Sequence, residues 1–223
     1  MDLFDKHQLL QRVLIFVPLL LSLTVHEWAH AYCAFRLGDD TASRRGRLTL
    51  NPLAHIDPMG TVLLPMLGVP FGWAKPVPVD PLRFRRSISM RKGMMLTAAA
   101  GPFSNVILAL LCTLTYGMLI RFRPDVLLAH GAIAGFLNTA IGMNLALALF
   151  NMLPIPPLDG SRVVDGLMPV RLQGYWEGWS KLAPYALLFV IVSPYVLHVS
   201  LLTWPITKAQ QLVWKLMFFV AGA

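Results

Sequence analysis

Residues 9–36 read LLQRVLIFVPLLLSLTVHEWAHAYCAFR, an apolar stretch that encloses the pentad His26-Glu27-Trp28-Ala29-His30. The stretch is long enough to cross a lipid bilayer as one helix. On that helix the two histidines lie four residues apart on one face, where their imidazoles can share a tetrahedral metal ion, and Glu27 lies beside them as a base for metal-bound water. The pentad therefore favours a hydrolytic metal centre inside a membrane.

The composition excludes an ordinary soluble domain. Of 223 residues, 56% are hydrophobic and only 13% are charged, whereas soluble domains average about 25% charged residues. A net charge of +8 would suit nucleic acid, but most basic residues flank apolar stretches, as topology signals in membrane proteins do. We therefore expect a lipid bilayer and no nucleic acid among the partners. The first apolar stretch is longer than a signal-peptide core, so we expect it to stay in the mature chain.

Five apolar segments are candidate transmembrane helices, at residues 9–36, 94–120, 131–150, 183–203 and 206–220. Between the first two, residues 56–79 are apolar but interrupted by prolines and glycines, which predicts a re-entrant hairpin packed against the site. The predicted fold class is an all-α integral membrane protein with about five to six transmembrane helices. We expect one domain over residues 1–223, with a core at 9–165 and accessory C-terminal helices at 183–221.

Positive charge indicates the orientation of the chain. Loops rich in arginine and lysine occur at residues 36–47, 75–92 and 162–181, and all three fall on one side if the hairpin re-enters without crossing. The positive-inside rule places that side in the cytoplasm. His26 lies about 15 Å along a helix from Arg36, so we expect an intramembrane site that opens toward the cytoplasm.

A catalytic zinc ion usually has three protein ligands and a water, so two histidines leave one ligand to be found. Asp159 lies in the proline-rich sequence NMLPIPPLDG at residues 151–160, where a regular helix cannot continue and the chain can turn back toward the site. Asp159 could instead cap a short helix that begins near Ser161. Less well-placed candidates are Asp57, Asp80, Asp165 and His55.

These motifs resemble the site-2 proteases, a family of intramembrane zinc metalloproteases, and in particular their short bacterial members without a PDZ domain. HEWAH at residues 26–30 is similar to the family's HExxH motif, and residues 151–160 are similar to its NxxPxPPLDG motif. The resemblance covers most of the chain, including NPLAHIDP at 51–58 and GWAKPVPV at 72–79. It implies that Glu27 is the general base, that the protein is a multi-pass protein of a bacterial inner membrane, and that one zinc ion is bound by His26, His30 and Asp159.

Asparagines in the predicted helices carry further predictions. GPFSN at residues 101–105 is similar to the family's GPxxN element, which implies that Asn105 donates a hydrogen bond to the developing oxyanion. The alternative is a proline kink with an amide bonded to a neighbouring helix. Asn151 is either a substrate-binding residue or a tie for the proline-rich loop. Asn138 and Asn144 are interpreted as hydrogen-bonding residues between helices.

The predicted reaction is hydrolysis of a peptide bond in or near a transmembrane segment of another membrane protein, with Glu27 activating zinc-bound water. Two alternatives stay open. One is a metal transporter or metal-sensing membrane protein, and the other is a catalytically inactive relative that binds transmembrane clients. The sequence assigns neither an oligomeric state nor a particular substrate.

Overall fold

The computed structural model describes residues 6–63, 72–196 and 203–222. Within these ranges the chain is helical, and the part of the chain described contains no β-strand, so the predicted all-α class is confirmed. The α-helices are α1 Lys6–Leu37, α2 Thr41–Arg44, α3 Met90–Phe122, α4 Pro124–Ala129, α5 Gly131–Asn151, α6 Asp159–Leu167, α7 Gln173–Val196 and α8 Thr203–Ala221. Short turns of 3-10 helix lie at Pro52–Ala54, Pro81–Arg83 and Val170–Leu172, and a π-helical turn lies at Pro58–Leu63.

Among the residues that the structure describes, two helices, α3 and α5, are long and apolar enough to cross a membrane. The buried share of their most apolar 18-residue windows is 22% and 33%, respectively. The core helix of a soluble protein would be mostly buried, whereas α3 exposes large apolar side chains such as Phe103 and Leu111, and many apolar side chains of α5 are only partly buried. Such a surface suits a lipid environment, because nothing in the hydrocarbon layer penalises exposed apolar groups.

The other predicted segments also lie in helices, with one difference in bounds. Helix α7 begins at Gln173 rather than at residue 183, because its first turns are built from polar and aromatic residues that an apolar window passes over. The predicted end of the segment, residue 203, is instead the first residue of α8; residues 197–202 lie outside the described part of the chain. The turn of the predicted hairpin, residues 64–71, also lies outside it, and re-entry into the membrane stays a prediction.

Helix α1 ends in a tight glycine cap. Gly38 has a positive φ of 113°, a conformation that glycine adopts without a steric cost. The Gly38 amide donates to Phe35 O at 3.0 Å, and the Asp39 amide donates to Ala34 O at 2.9 Å. This pair of bonds is the Schellman arrangement, which satisfies the last free carbonyls of the helix. The cap turns the chain away from the helix axis at the end of α1 that is nearer to His30.

Helix α3 is the central element of the fold. It packs against α1, α5, α6 and α8, and α1 packs against α5 as well. Close approach to α8 depends on Gly117, where a Cβ atom would lie only 2.8 Å from Met217 O. One apolar cluster joins the three helices α3, α5 and α8 through Ala109, Ile141, Leu145 and Val213. The predicted metal site on α1 therefore lies against a helix that is itself packed on several neighbours.

Candidate metal centre

Three potential ligand atoms converge where α1, α3 and the start of α6 meet. The Nε2 atoms of His26 and His30 lie 3.0 Å apart. Asp159 Oδ2 lies 3.1 Å from His26 Nε2 and 3.2 Å from His30 Nε2. All three residues are largely buried. The chain thus brings together two residues four positions apart on one helix and a third more than a hundred residues later.

The outer nitrogen of each imidazole is occupied by an oxygen acceptor. His30 Nδ1 lies 2.7 Å from Thr97 O, and His26 Nδ1 lies 2.6 Å from Asn105 Oδ1. A carbonyl oxygen can only accept, so each Nδ1 carries the hydrogen and each neutral ring has its lone pair on Nε2. Hydrogen bonding of the outer ring nitrogen in this manner is what orients histidine ligands in metal proteins.

The triangle of ligand atoms fits one tetrahedral zinc ion. Bonds of about 2.0–2.1 Å at tetrahedral angles would separate ligand atoms by about 3.3–3.4 Å, and the observed separations are 3.0–3.2 Å. Two imidazole lone pairs and a carboxylate at such distances repel one another unless a cation lies between them. The donor set of two nitrogens and one oxygen also matches that of known catalytic zinc sites.

Asp159 is the first residue of α6, and the residue at the N-cap is Leu158. The alternative in which Asp159 caps a helix beginning near Ser161 is therefore wrong: its carboxylate faces the histidines instead. Burial raises the pKa of Asp159, but the two nearby histidine side chains, when protonated, lower it by more, and the net pKa lies below its ordinary value. The ionised carboxylate is the form that binds a metal ion.

The other carboxylates that the sequence offered are engaged elsewhere. Asp57 accepts hydrogen bonds from the amides of Met59 and Gly60, and Asp80 caps the turn at Leu82. Asp165 lies 3.8 Å from Arg91. His55 faces the carbonyl of Thr49 at 2.8 Å. None of these four residues belongs to the cluster formed by His26, His30 and Asp159.

Glycine is required on the α3 face that lies against the histidines. A Cβ atom at Gly101 would lie 2.7 Å from His26 Cε1 and closer still to His30 Nε2. Any larger residue would displace the two rings. Gly160 has a similar function beside Asp159, because a Cβ atom there would collide with the Met152 carbonyl. The glycines of the GPFSN and LDG sequences thus let α3 and α6 approach the site.

Glu27 is 9% exposed, and its carboxylate is bonded to an extended segment at residues 73–80. Glu27 Oε2 accepts a hydrogen bond from Val77 N at 2.8 Å. The same segment is fixed at Lys75, whose amide donates to His55 O at 2.9 Å and whose carbonyl accepts from Arg47 Nη2 at 2.5 Å. Trp73 O accepts from Thr61 Oγ1 at 2.7 Å. The extended segment therefore runs beside the site and holds Glu27 in place.

The two asparagines predicted to act on the substrate, Asn105 and Asn151, lie in different environments: Asn105 is buried and Asn151 ends a helix. Asn105 is fully buried behind His26, and both of its amide hydrogens are used, by Ser22 O at 3.3 Å and Asn144 Oδ1 at 2.7 Å. This arrangement leaves no free donor for the oxyanion contact predicted from the motif. Asn151 is the last residue of α5 and donates to Leu147 O of the same helix at 3.0 Å. Its predicted role in substrate binding stays a prediction.

Several functional contacts could not be found from the sequence. Thr97 takes part through its backbone carbonyl, which every residue has, so its side chain carries no signal. Val77 takes part through its amide for the same reason. Asn144 was assigned only a general interhelical hydrogen bond, whereas it bonds the residue that contacts His26.

Comparisons with known proteins agree on one family. The profile of Peptidase family M50 matches residues 117–191, a range that includes Asp159. A Bacillus subtilis protein named as a zinc metalloprotease, YwhC, is 37% identical over 210 residues, which cover 94% of this chain and 92% of that protein. Rip2 of Mycobacterium tuberculosis, also named as a zinc metalloprotease, is 32% identical over 81% of this chain and 66% of its own length.

A third relative matches a shorter part of the chain. The zinc metalloprotease MJ0611, as it is named, of Methanocaldococcus jannaschii is 45% identical over 67 residues, or 30% of this chain and 31% of that protein. No solved structure matches the chain. The match to the Bacillus protein extends over nearly the whole of both chains, and it confirms the resemblance drawn from the motifs. The chain belongs to peptidase family M50, the site-2 protease family of zinc metalloproteases.

Proposed function

We propose that this protein is an intramembrane metalloendopeptidase that cleaves a peptide bond in or near a transmembrane segment of another membrane protein. His26, His30 and Asp159 hold one zinc ion, and Glu27 is the general base. The observation that carries the proposal is the triangle of three ligand atoms, 3.0–3.2 Å apart, with the outer nitrogen of both imidazoles held by oxygen acceptors.

When bound, zinc supplies a Lewis acid that polarises a substrate carbonyl and makes a coordinated water more acidic. Glu27 accepts the proton of the attacking water and passes it to the leaving amine nitrogen. Its position suits both steps, because the residue next to the ligand His26 stays close to the metal whatever the substrate. The Val77 amide bonds to one carboxylate oxygen, Oε2, and so fixes the carboxylate of the proposed base.

The substrate strand is proposed to lie along the extended segment at residues 73–80. Backbone groups of alternate residues face the same edge of an extended chain, and those of Trp73, Lys75 and Val77 are bonded to the rest of the protein. The opposite edge carries the carbonyls of Ala74, Pro76 and Pro78. Proline has no N–H, so this edge mostly accepts hydrogen bonds, and an unwound substrate would donate its amides to it.

We further propose that the protein crosses the bacterial inner membrane several times, with the site opening toward the cytoplasm. The length and apolar composition of α3 and α5, and the exposed apolar side chains of α3, support membrane insertion. Basic residues concentrated in the loops around α2 and before α3 support the orientation. Asn151, eight residues before Asp159 at the end of α5, is proposed to bind the substrate backbone.

The decisive experiment reconstitutes the purified protein with candidate single-span substrates and follows cleavage. We expect the wild-type protein to cleave, and a zinc chelator to abolish cleavage until zinc is restored. The Glu27→Gln variant should keep one zinc ion per chain and lose activity by at least about hundredfold, since it can no longer take up a proton. Glu177→Gln, which changes the other, exposed glutamate, is the matched control and should behave like the wild type.

The same preparations separate the alternative functions. Zinc flux into proteoliposomes without any cleavage would identify a transporter. A wild-type protein that retains clients but cleaves none of them would identify an inactive relative. Undiminished cleavage by the Glu27→Gln variant would overturn the assignment of the general base.

A further inference from the structure

A chain of three buried polar side chains lies directly behind the metal ligand His26. Ser22 of α1, Asn105 of α3 and Asn144 of α5 are each no more than 1% exposed. Asn105 Nδ2 lies 2.7 Å from Asn144 Oδ1, and Asn144 Nδ2 lies 2.8 Å from Ser22 Oγ. Hydrogen bonds among these side chains therefore connect α1, α3 and α5 in the interior of the protein.

The direction of this hydrogen-bond chain is fixed by two backbone carbonyls. Asn105 Nδ2 lies 3.3 Å from Ser22 O, and Asn144 Nδ2 lies 2.8 Å from Ala140 O. A carbonyl oxygen can only accept, so each amide must present its NH2 group there. Each Oδ1 atom then faces the opposite way: that of Asn144 accepts from Asn105, and that of Asn105 faces His26 Nδ1 at 2.6 Å.

The direction of the chain determines which nitrogen of His26 is free. An amide oxygen cannot donate, so the hydrogen of the neutral imidazole must be on Nδ1, and the lone pair is then on Nε2. Nε2 is the atom that faces His30 and Asp159. Rotation of the Asn105 amide by 180° would point its NH2 group at His26 and its oxygen at two acceptors, at the cost of several buried, unsatisfied groups.

We propose that Asn105 and Asn144 form a positioning relay that holds His26 with its Nε2 atom directed at the metal. The relay rests on the zinc site of the proposed function. Asn105 acts on His26 directly, and Asn144 acts only through Asn105, by receiving its amide hydrogen. Neither residue touches the substrate. In this proposal Asn144 does more than join two helices, because it orients the amide of Asn105. Asn105 in turn accepts a hydrogen bond from His26 and does not donate one to the oxyanion.

The relay is tested by zinc affinity, measured by competition with a chelating dye in the absence of substrate. We expect Asn105→Leu and Asn144→Leu each to weaken zinc binding by about 10- to 100-fold, as loss of the group behind a ligating histidine does elsewhere. The double variant should be about as weak as Asn105→Leu alone, because the hydrogen bond with His26 is made by Asn105 itself. Asn138→Leu, at an exposed position of α5, is the matched control and should bind zinc like the wild type.

Two further measurements keep the test independent of folding. Thermal unfolding of the zinc-free variants reports any general loss of stability separately from zinc affinity. In the wild-type protein loaded with zinc, nitrogen NMR of labelled histidine should show hydrogen on Nδ1 and metal on Nε2 of His26.

The outcomes distinguish the relay from the proposed function. Wild-type zinc affinity in Asn144→Leu, multiplicative losses in the double variant, or metal on Nδ1 of His26 would each overturn the relay while leaving the zinc site intact. Absence of stoichiometric zinc binding by the wild-type protein would overturn both.

Discussion

The two histidines of the site are held by chemically different partners. His30 is fixed by the backbone carbonyl of Thr97, and His26 is fixed by the side-chain amide of Asn105. A substitution at Thr97 leaves its carbonyl in place, whereas a substitution at Asn105 removes the acceptor. At the scale of single residues, His26 is therefore the ligand whose orientation depends on the identity of a neighbouring side chain.

Gly101 is a position in the site where a larger side chain cannot fit. We expect Gly101→Ala to abolish stoichiometric zinc binding, because its Cβ atom would occupy space now filled by the two imidazole rings. The measurement is zinc content after dialysis together with cleavage of a reconstituted substrate.

Gly178→Ala in α7 is the control for the same chemical change. Apart from the helix's own backbone, no atom of the described residues lies within 4 Å of the position that its Cβ atom would take, and alanine is a better helix former than glycine by about 1 kcal/mol. It should bind zinc normally and be at least as stable as the wild type. Normal zinc content in Gly101→Ala would contradict the close approach of α3 to the histidines.

At the scale of elements, the extended segment at residues 73–80 depends on contacts with side chains of the preceding loops. Arg47 is only 9% exposed and bonds to Lys75 O, two residues before the amide that holds Glu27. Lys75 N in turn bonds to His55 O. The position of Glu27, the proposed general base, is thus set by a segment that belongs to no helix.

We expect Arg47→Met to lower the rate of cleavage at saturating substrate by about ten- to hundredfold, since small displacements of a catalytic group are costly. Zinc affinity should stay unchanged, because Arg47 contacts none of the three ligands. Stability need not fall, since the substitution removes a buried charge together with its bond. The check is a set of turnover and zinc-binding measurements on the same sample.

Arg45→Met, at an exposed position in the same loop, is the matched control. It removes the same charge without removing the bond to the extended segment. Equal losses of rate in the two variants would show that net charge, rather than the contact with Lys75 O, is responsible.

The positions of several helices could be predicted from apolar segments and motifs in the sequence. The runs at 94–120 and 131–150 lie within α3 and α5, because an apolar stretch bounded by charge, proline or glycine leaves few other structures open. The meeting of His26 with Asp159 was inferred from a motif, since no local pattern encodes a contact across so many residues. Thr97 and Asn144 could not be assigned, because their roles follow from how α3 and α5 align with α1.

At the scale of the whole molecule, the C-terminal helix α8 packs into the fold rather than lying beside it. Val213 belongs to the buried cluster shared by α3, α5 and α8. Helix α8 lies close to α3 at Gly117. It lies close to α5 at Gly142, which faces the end of the Gln210 side chain. The two glycines therefore meet α8 in different ways.

We expect Gly117→Val to destabilise the folded protein by about 1–3 kcal/mol, because the added atoms would meet the α8 backbone at Met217 and cannot be relieved by a rotamer change. Gly142→Ala should cost much less, since its neighbour is the far end of a flexible side chain. Denaturant unfolding in detergent micelles measures both. Equal stability of the Gly117→Val variant and the wild type would mean that α8 is not packed against α3 in the membrane.

The proposed orientation in the membrane predicts which loops a reagent can reach. In a background without Cys33 and Cys112, a cysteine at the exposed Ser43 position should react with a membrane-impermeant maleimide only in inverted vesicles. A cysteine at the exposed Asp125 position, beyond the other end of α3, should react only in intact spheroplasts. The reverse pattern would place the site opening on the opposite side of the membrane.

The partners of both histidines lie on one helix, and this has a thermodynamic consequence. Thr97 and Asn105 are separated by about 12 Å of α3, and they hold His30 and His26 in antiparallel order. Sliding α3 along α1 by a single residue, about 1.5 Å, would break both hydrogen bonds together. Metal affinity and the alignment of α1 with α3 are therefore thermodynamically linked: whatever favours the aligned state tightens metal binding, and bound metal favours the aligned state by the same free energy.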